Sequence, residues 1–137
     1  MNYYSLSNPT IQRGFAEALR EGLAPDRGLY APESIPSLDW NGLRGMELGA
    51  VAARILQPFV GHAIPEAVLT EGMTEALNFE IPLVEIAPDL FQLELFHGPT
   101  AAFKDVGARI MSRLLGATSQ EQLTVLVATS GDTGSAV

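Results

Sequence analysis

A short apolar run at residues 123–128, with the sequence LTVLVA, constrains the fold of this chain more than any other segment. A run of this length without alternating polar residues is typical of a strand buried on both faces, as in a parallel sheet. An amphipathic pattern over 102–115 predicts a helix before it, and residues 90–96 predict an earlier strand. Strand, helix and strand form one βαβ unit. The chain is therefore predicted to be an α/β protein with an incomplete parallel sheet.

The residues before this unit are predicted to be rich in helices and loops. The apolar spacing predicts three helices, over residues 8–22, 46–59 and 65–77. Pro58 is expected to end or bend the second helix, and the Gly- and Pro-rich segment 22–45 is predicted to be an ordered loop. A further strand is predicted over 83–87. We therefore expect a helical and loop-rich N-terminal region over residues 1–78 and the beginning of an α/β domain over 79–137.

The composition disfavours several classes of function. Hydrophobic residues make up 47% of the chain and charged residues 18%, which excludes a disordered polypeptide. The formal net charge of −8 disfavours nucleic-acid partners and anionic membrane surfaces. The sequence has no cysteine, so disulfides and thiolate sites are excluded. It also has no apolar stretch of the ~20 residues that a membrane span needs. A cytoplasmic protein is predicted.

The end of the sequence predicts that the natural chain continues beyond Val137. The tail SGDTGSAV begins a helix with only a few residues, and so short a helix is not stable alone. One crossover is also too small to cover both faces of a parallel sheet. The apolar faces left exposed are expected to make the 137-residue chain self-associate.

Lys104 is the only lysine in the chain, so any chemistry that needs an amine side chain has one candidate here. It lies in the first turn of the predicted helix 102–115, next to Phe103. Apolar neighbours and the positive end of the helix dipole both favour the neutral amine, which can attack a carbonyl. Asp105 is expected to favour the charged amine, unless its side chain points away from Lys104. The alternative is an ordinary surface lysine.

A second candidate site follows the apolar run, at Ser130-Gly131-Asp132-Thr133-Gly134. The two glycines permit a tight turn, and the hydroxyls and free helix N–H groups suit a carboxylate or phosphate. Asp132 is expected to cap the helix or hold the loop. An ordinary capped turn is the alternative. If the strands are parallel, both candidate loops open at the same edge of the sheet, which brings Lys104 near this loop.

The two histidines, His62 and His97, are far apart in the sequence, so no metal site is predicted. His97 is expected to pack beneath the loop that precedes Lys104.

Three segments together resemble the threonine synthase family, whose members are pyridoxal-phosphate enzymes of the tryptophan-synthase-β, or fold type II, class. They are GLAPDRGLYAPESIP at 22–36, FHGPTAAFKDVGAR at 96–109 and VATSGDTGSAV at 127–137. Arg27 stands where the family pattern usually has a glycine. The resemblance implies that residues 79–137 begin a three-layer fold type II domain.

The resemblance also implies a role for each matching residue. Lys104 matches the lysine that forms the internal aldimine with the cofactor aldehyde, and Gly98, Pro99, Thr100 and Phe103 match the loop that presents it. The implied cofactor-binding residues are Lys104, Phe103, Asp132 and Thr133. The implied substrate-binding residues are Thr100, Ser130, Gly131, Asp132, Thr133 and Gly134.

The implied reaction converts O-phospho-L-homoserine and water to L-threonine and phosphate, a lyase step of threonine biosynthesis. The family's phosphate-binding loop and its partner for the pyridine nitrogen come later than Val137, so the 137-residue chain by itself is predicted to be inactive. One alternative is a related pyridoxal-phosphate-dependent phospho-lyase or deaminase. The other is a threonine synthase-like protein that binds ligand without catalysis.

Overall fold

The computed structural model describes residues 1–119 and 121–137. It begins with a small antiparallel sheet of three strands in the order β2-β1-β3. The strands are β1 (Asn2–Ser5), β2 (Gln12–Gly14) and β3 (Tyr30–Pro32). The N-terminal residues are thereby held in place by pairing with two later segments.

The predicted helix over 8–22 is wrong in its first half. Residues 12–14 form β2, and the helix α1 spans only Phe15–Glu21. The side-chain oxygen of Asn8 accepts hydrogen bonds from the backbone and the hydroxyl of Thr10, and the Asn8 carbonyl accepts one from Ile11. These bonds close a turn at Asn8 in place of a helix cap; Asn is favoured in both settings.

The second and third predicted helices are confirmed as α2 (Leu48–Val60) and α3 (Glu66–Ala76). Pro58 lies inside α2, in its last turn. The two helices approach closely at Gly49, where an added Cβ would lie 2.6 Å from the Cα of Thr74. Short 3-10 turns occur at Asn41–Leu43 and Gly61–Ala63.

The hydrophobic core lies among these helices and the longest helix, α4 (Lys104–Thr118). Its buried residues are Ala53, Val60, Ile64, Leu69, Met73 and Leu114. Leu114 belongs to α4, and its neighbour Ile110 packs against the same cluster. The helix that carries Lys104 is therefore packed onto the N-terminal region.

The second sheet is a hairpin of β4 (Leu83–Ala87) and β5 (Leu90–Leu93), which pair antiparallel. The strand predicted over 90–96 is thus confirmed only in its first part. Both strands are exposed along their whole length.

The strand predicted over residues 123–128 is not formed, and this part of the prediction is wrong. Leu126 is 91% exposed, and within the described ranges no strand pairs with this segment. A strand requires a neighbour for its backbone hydrogen bonds, and β4 and β5 pair only with each other. A five-residue helix, α5 (Asp132–Ala136), follows the segment. The mixed α/β class is confirmed, while the parallel pairing is absent from the residues described.

Across residues 1–119 and 121–137, the helices are all too short or too polar to cross a bilayer.

Candidate active site

Lys104 is the first residue of α4, and the loop before it is tightly wound. Gly98 accepts a backbone hydrogen bond from Ala101 at 3.0 Å. Ala101 has φ = 54°, in the left-handed region that residues with a Cβ rarely adopt. Such strain is kept only where surrounding contacts fix the backbone. The start of α4, and with it the backbone of Lys104, is therefore set by this loop.

The Lys104 amine lies beside the loop at the start of α5. Its Nζ is 3.3 Å from Oδ2 of Asp132, although the two residues are 28 positions apart. The ring of Phe103 lies 4.6 Å from the same nitrogen. The Lys104 side chain is 31% exposed and the Asp132 side chain 70%, so the pair is open to solvent. An exposed ion pair of this kind contributes at most about 1 kcal/mol.

The glycines of the second loop are required by its geometry. Gly131 has φ = 142°, and its N–H donates to the Thr129 hydroxyl at 3.2 Å. A Cβ added at Gly134 would lie 2.4 Å from Cγ2 of Thr129. The carboxylate of Asp132 contacts Lys104 and does not cap α5, which has no side-chain cap. The capping role expected for Asp132 is therefore wrong, while a role in holding the two loops together agrees with the geometry.

The remaining predicted residues lie around this contact. Phe103 is 61% exposed. Ser130, Gly131 and Gly134 are exposed, whereas Thr133 is half-buried. The surface around the amine is thus open and is lined by the Phe103 ring together with small polar groups.

Thr100 is half-buried and turned toward Asp105, which sequence reasoning had treated only as a charge beside Lys104. The Asp105 side chain is 1% exposed. Its carboxylate accepts the Thr100 N–H at 2.9 Å and the Thr100 hydroxyl at 2.8 Å. The carboxylate therefore turns inward to the loop. The only sign of these hydrogen bonds in the sequence was the position of Thr100, five residues before the acidic Asp105 in the first turn of the helix.

His97 does not pack beneath the loop, so that expectation is wrong. Its Nε2 lies 2.7 Å from Oε2 of Glu94, and its ring stacks on Phe96 with the centroids 4.8 Å apart. In the part of the chain that the structure describes, no three potential metal-binding side chains of the His, Asp or Glu type come together.

Arg109 is a structural residue that the sequence analysis missed. Its Nε donates to the carbonyl of Ala76 at 2.7 Å, and its terminal nitrogen donates to the carbonyl of Glu75 and to Oδ1 of Asn78, both at 2.9 Å. Carbonyls at a helix C-terminus have no partner within the helix, so these bonds cap α3. Arg109 therefore ties the lysine-bearing helix to the N-terminal region.

Comparisons with known proteins agree with this arrangement. A family model described as "Threonine synthase N terminus" matches residues 2–77. Threonine synthase from Haemophilus influenzae is 42% identical over 139 residues, which cover 100% of this chain and 33% of that protein. The chain therefore belongs to the threonine synthase family. It spans about a third of the length of such relatives.

Two solved structures have a similar fold. The crystal structure of threonine synthase from Escherichia coli matches with a TM-score of 0.90 and 37% identity, over 99% of this chain and 33% of that one. A threonine synthase from Brucella melitensis, bound to pyridoxal phosphate (PLP), matches with a TM-score of 0.79 and 40% identity, over 84% and 26% of the two chains. The fold described above is thus the fold of the N-terminal part of these enzymes.

Proposed function

We propose that this chain forms the N-terminal part of a threonine synthase that converts O-phospho-L-homoserine and water to L-threonine and phosphate. The observation that carries the proposal is the contact between Lys104 and Asp132, which joins the only amine side chain to the glycine-rich loop. In this proposal residues 1–78 support the site, and residues 79–137 begin the catalytic domain. A cytoplasmic location and self-association stay predictions from the sequence.

The residues present fit pyridoxal phosphate. An aldehyde needs an amine that it can approach, and the Lys104 side chain is partly exposed at the protein surface. Asp132, its carboxylate partner, is itself exposed, and an exposed ion pair costs at most about 1 kcal/mol to break. The exposed ring of Phe103 beside the amine offers an apolar surface for a flat cofactor ring. When bound, the cofactor supplies an aldehyde for amines and an electron sink for carbanions.

Lys104 is proposed to be the catalytic residue because its Nζ can hold and release protons. A single amine beside the bound substrate serves as general base and then as general acid on the same face. Asp132 accepts a hydrogen bond from this nitrogen, which orients the free side chain of Lys104 toward the glycine-rich loop.

Binding of the substrate is assigned to the loop at the start of α5 and to the loop before α4. The hydroxyls of Ser130 and Thr133 can donate to the amino-acid carboxylate of the substrate. The backbone at Gly131 and Gly134 carries no side chain, so a ligand can approach it closely. Thr100 lies in the loop before the lysine-bearing helix, four residues from Lys104, and is assigned to the substrate because of this place in the sequence.

The proposal is tested by locating the cofactor on the protein. Full-length protein is incubated with pyridoxal phosphate, reduced with borohydride and digested, and the peptides are identified by mass spectrometry. We expect the adduct on Lys104 and none on this segment in Lys104→Arg, which keeps the positive charge. An adduct that forms only on lysines elsewhere in the full-length protein would refute the assignment.

The substrate is tested separately. With O-phospho-L-homoserine, the full-length protein should release phosphate and threonine in equal amounts. Release of phosphate together with a 2-oxo acid would indicate a related lyase or deaminase. Capture of the cofactor without product would indicate a binding protein. Either of the last two results contradicts the proposed reaction.

A further inference from the structure

We infer that Asp105 is a positioning residue for the Lys104 amine, acting through its two hydrogen bonds to Thr100. This inference rests on the proposed function, because it assigns a role within the same site. Asp105 itself touches neither the amine nor the glycine-rich loop in the contacts described.

The burial of Asp105 shows that its carboxylate has a structural task. A carboxylate that is 1% exposed loses its hydration and must be compensated by hydrogen bonds or charge. Two donors from Thr100 supply the bonds, and the positive end of α4 favours a negative charge in its first turn. All three contributions act on the loop that ends at Lys104.

The backbone of Gly98 packs closely against the carboxylate of Asp105. A Cβ added at Gly98 would lie 2.5 Å from Oδ2 and 2.8 Å from Cβ of Asp105. The carboxylate is therefore enclosed by the backbone of Gly98 on one side and by Thr100 on the other. This enclosure explains why the chain has glycine at position 98, where φ lies outside the left-handed region.

The strained residue Ala101 shows what the two hydrogen bonds hold in place. It lies between Thr100 and Lys104 and has φ = 54°. A residue with a Cβ is strained in this region. Without the bonds to Asp105, the loop is free to relax toward an ordinary conformation. The first turn of α4 would then shift, and the Lys104 amine with it.

The size of the expected effect follows from the sensitivity of covalent chemistry to placement. A displacement of the reacting group by about 1 Å can cost about a hundredfold in rate. We therefore expect loss of one Asp105 bond to slow the reaction of Lys104 with pyridoxal phosphate by between about tenfold and about a hundredfold.

The test measures adduct formation by full-length protein in the absence of substrate, so that any contact of Thr100 with substrate does not contribute. Thr100→Val removes the hydroxyl donor, and Thr100→Ser keeps it. Thr118→Val is the matched control, because Thr118 donates its hydroxyl to the Leu114 carbonyl at 2.8 Å, at the opposite end of the same helix. Asp105→Asn is the companion variant, which preserves shape and one acceptor oxygen.

We expect slow adduct formation at Lys104 in Thr100→Val, a rate close to wild type in Thr100→Ser, and the wild-type rate in Thr118→Val. Asp105→Asn should lie between wild type and Thr100→Val. Melting temperatures of all variants are measured in parallel. Adduct formation is then followed at a temperature well below the lowest of these melting temperatures.

Two results would overturn the inference. One is a wild-type rate in Thr100→Val despite a lower melting temperature, which would make the bonds merely stabilising. The other is an equal slowing in Thr118→Val, which would indicate general loosening of α4. If wild type itself formed no adduct at Lys104, the proposed function would fail as well, and this result is distinct from the other two.

Discussion

Replacement of Arg27 by glycine is expected to stabilise the protein, although it removes a long side chain. Arg27 lies in the loop between α1 and β3 with φ = 67°. Its N–H donates to the Ala24 carbonyl at 2.7 Å, so the loop is closed by a backbone bond that the substitution preserves. Its side chain is exposed, and among the described residues its guanidinium forms no ion pair.

The magnitude follows from two opposing contributions. The left-handed conformation costs a residue with a Cβ about 1–2 kcal/mol, and glycine does not bear this cost. Glycine in turn loses more chain entropy on folding, by roughly 0.5–1 kcal/mol. The free energy of unfolding should therefore rise by about 0.5–1 kcal/mol in Arg27→Gly.

The loop around Arg27 is held by other residues, so the conformation should survive the substitution. The Asp26 carboxylate accepts the Ser5 hydroxyl at 2.8 Å and the Gly28 N–H at 2.9 Å. A Cβ at Gly28 would overlap Oγ of Ser5, 2.1 Å away. The left-handed residue at 27 is thus imposed by its neighbours.

Urea denaturation of full-length protein followed by circular dichroism measures the change. Arg54→Gly is the control, because Arg54 is an exposed arginine in the middle of α2, where glycine costs about 1 kcal/mol. We expect the two variants to shift the midpoint in opposite directions. A loss of stability in Arg27→Gly equal to that in Arg54→Gly would refute the reasoning.

Three further perturbations test the packing and electrostatics. Arg109→Met leaves the last carbonyls of α3 without their donor and should lower the free energy of unfolding by about 1–3 kcal/mol, measured in urea; an unchanged midpoint would contradict the capping role. Gly49→Ala places a Cβ 2.6 Å from the α3 backbone and should lower the free energy of unfolding by about 1–3 kcal/mol in the same assay. An unchanged free energy of unfolding would mean that the two helices move apart without cost. The hydrogen bond from Tyr30, followed by that from Arg13, lowers the pKa of Glu21 from its ordinary value of 4.5. Because the folded-state pKa is the lower one, its stabilisation is present above about pH 4.5 and is lost as the pH falls through the folded-state value. The difference in melting temperature between wild type and Glu21→Gln should therefore shrink on acidification, and a difference that grew instead would contradict this sign.

The sequence predicted those elements whose periodicity is strong and whose ends are clearly marked. The helix α3 was predicted within one residue at each end, because Leu69, Met73 and Ala76 recur at helical spacing and a proline precedes the helix. The start of α1 was missed, because Asn8 can cap a helix or close a turn, and the choice is made by pairing of β2 with β1. No local pattern contains that pairing.

The candidate site was predictable in its residue types and only partly in its contacts. The glycine pattern identified the loop at 131–134, where Gly131 has the positive φ that such a turn needs. The direction of Asp105 was not predictable, because a carboxylate next to a lysine can turn toward the amine or away from it. Burial against Gly98 decides between the two, and burial is a property of the folded chain.

The placement of Lys104 depends on α4 as a rigid unit with three attachments. Leu114 is buried in the core near the C-terminal end, Arg109 binds the end of α3 in the middle, and Asp105 fixes the loop at the N-terminal end. The first two attachments set where the helix lies, and only the third sets the backbone from which the amine projects. Substitutions at the first two should therefore change stability without changing the reactivity of Lys104 in the folded protein. A substitution at Asp105 should slow the reaction of Lys104 even under conditions in which the variant is fully folded. Such a result would separate the positioning of the amine from the stability of the fold.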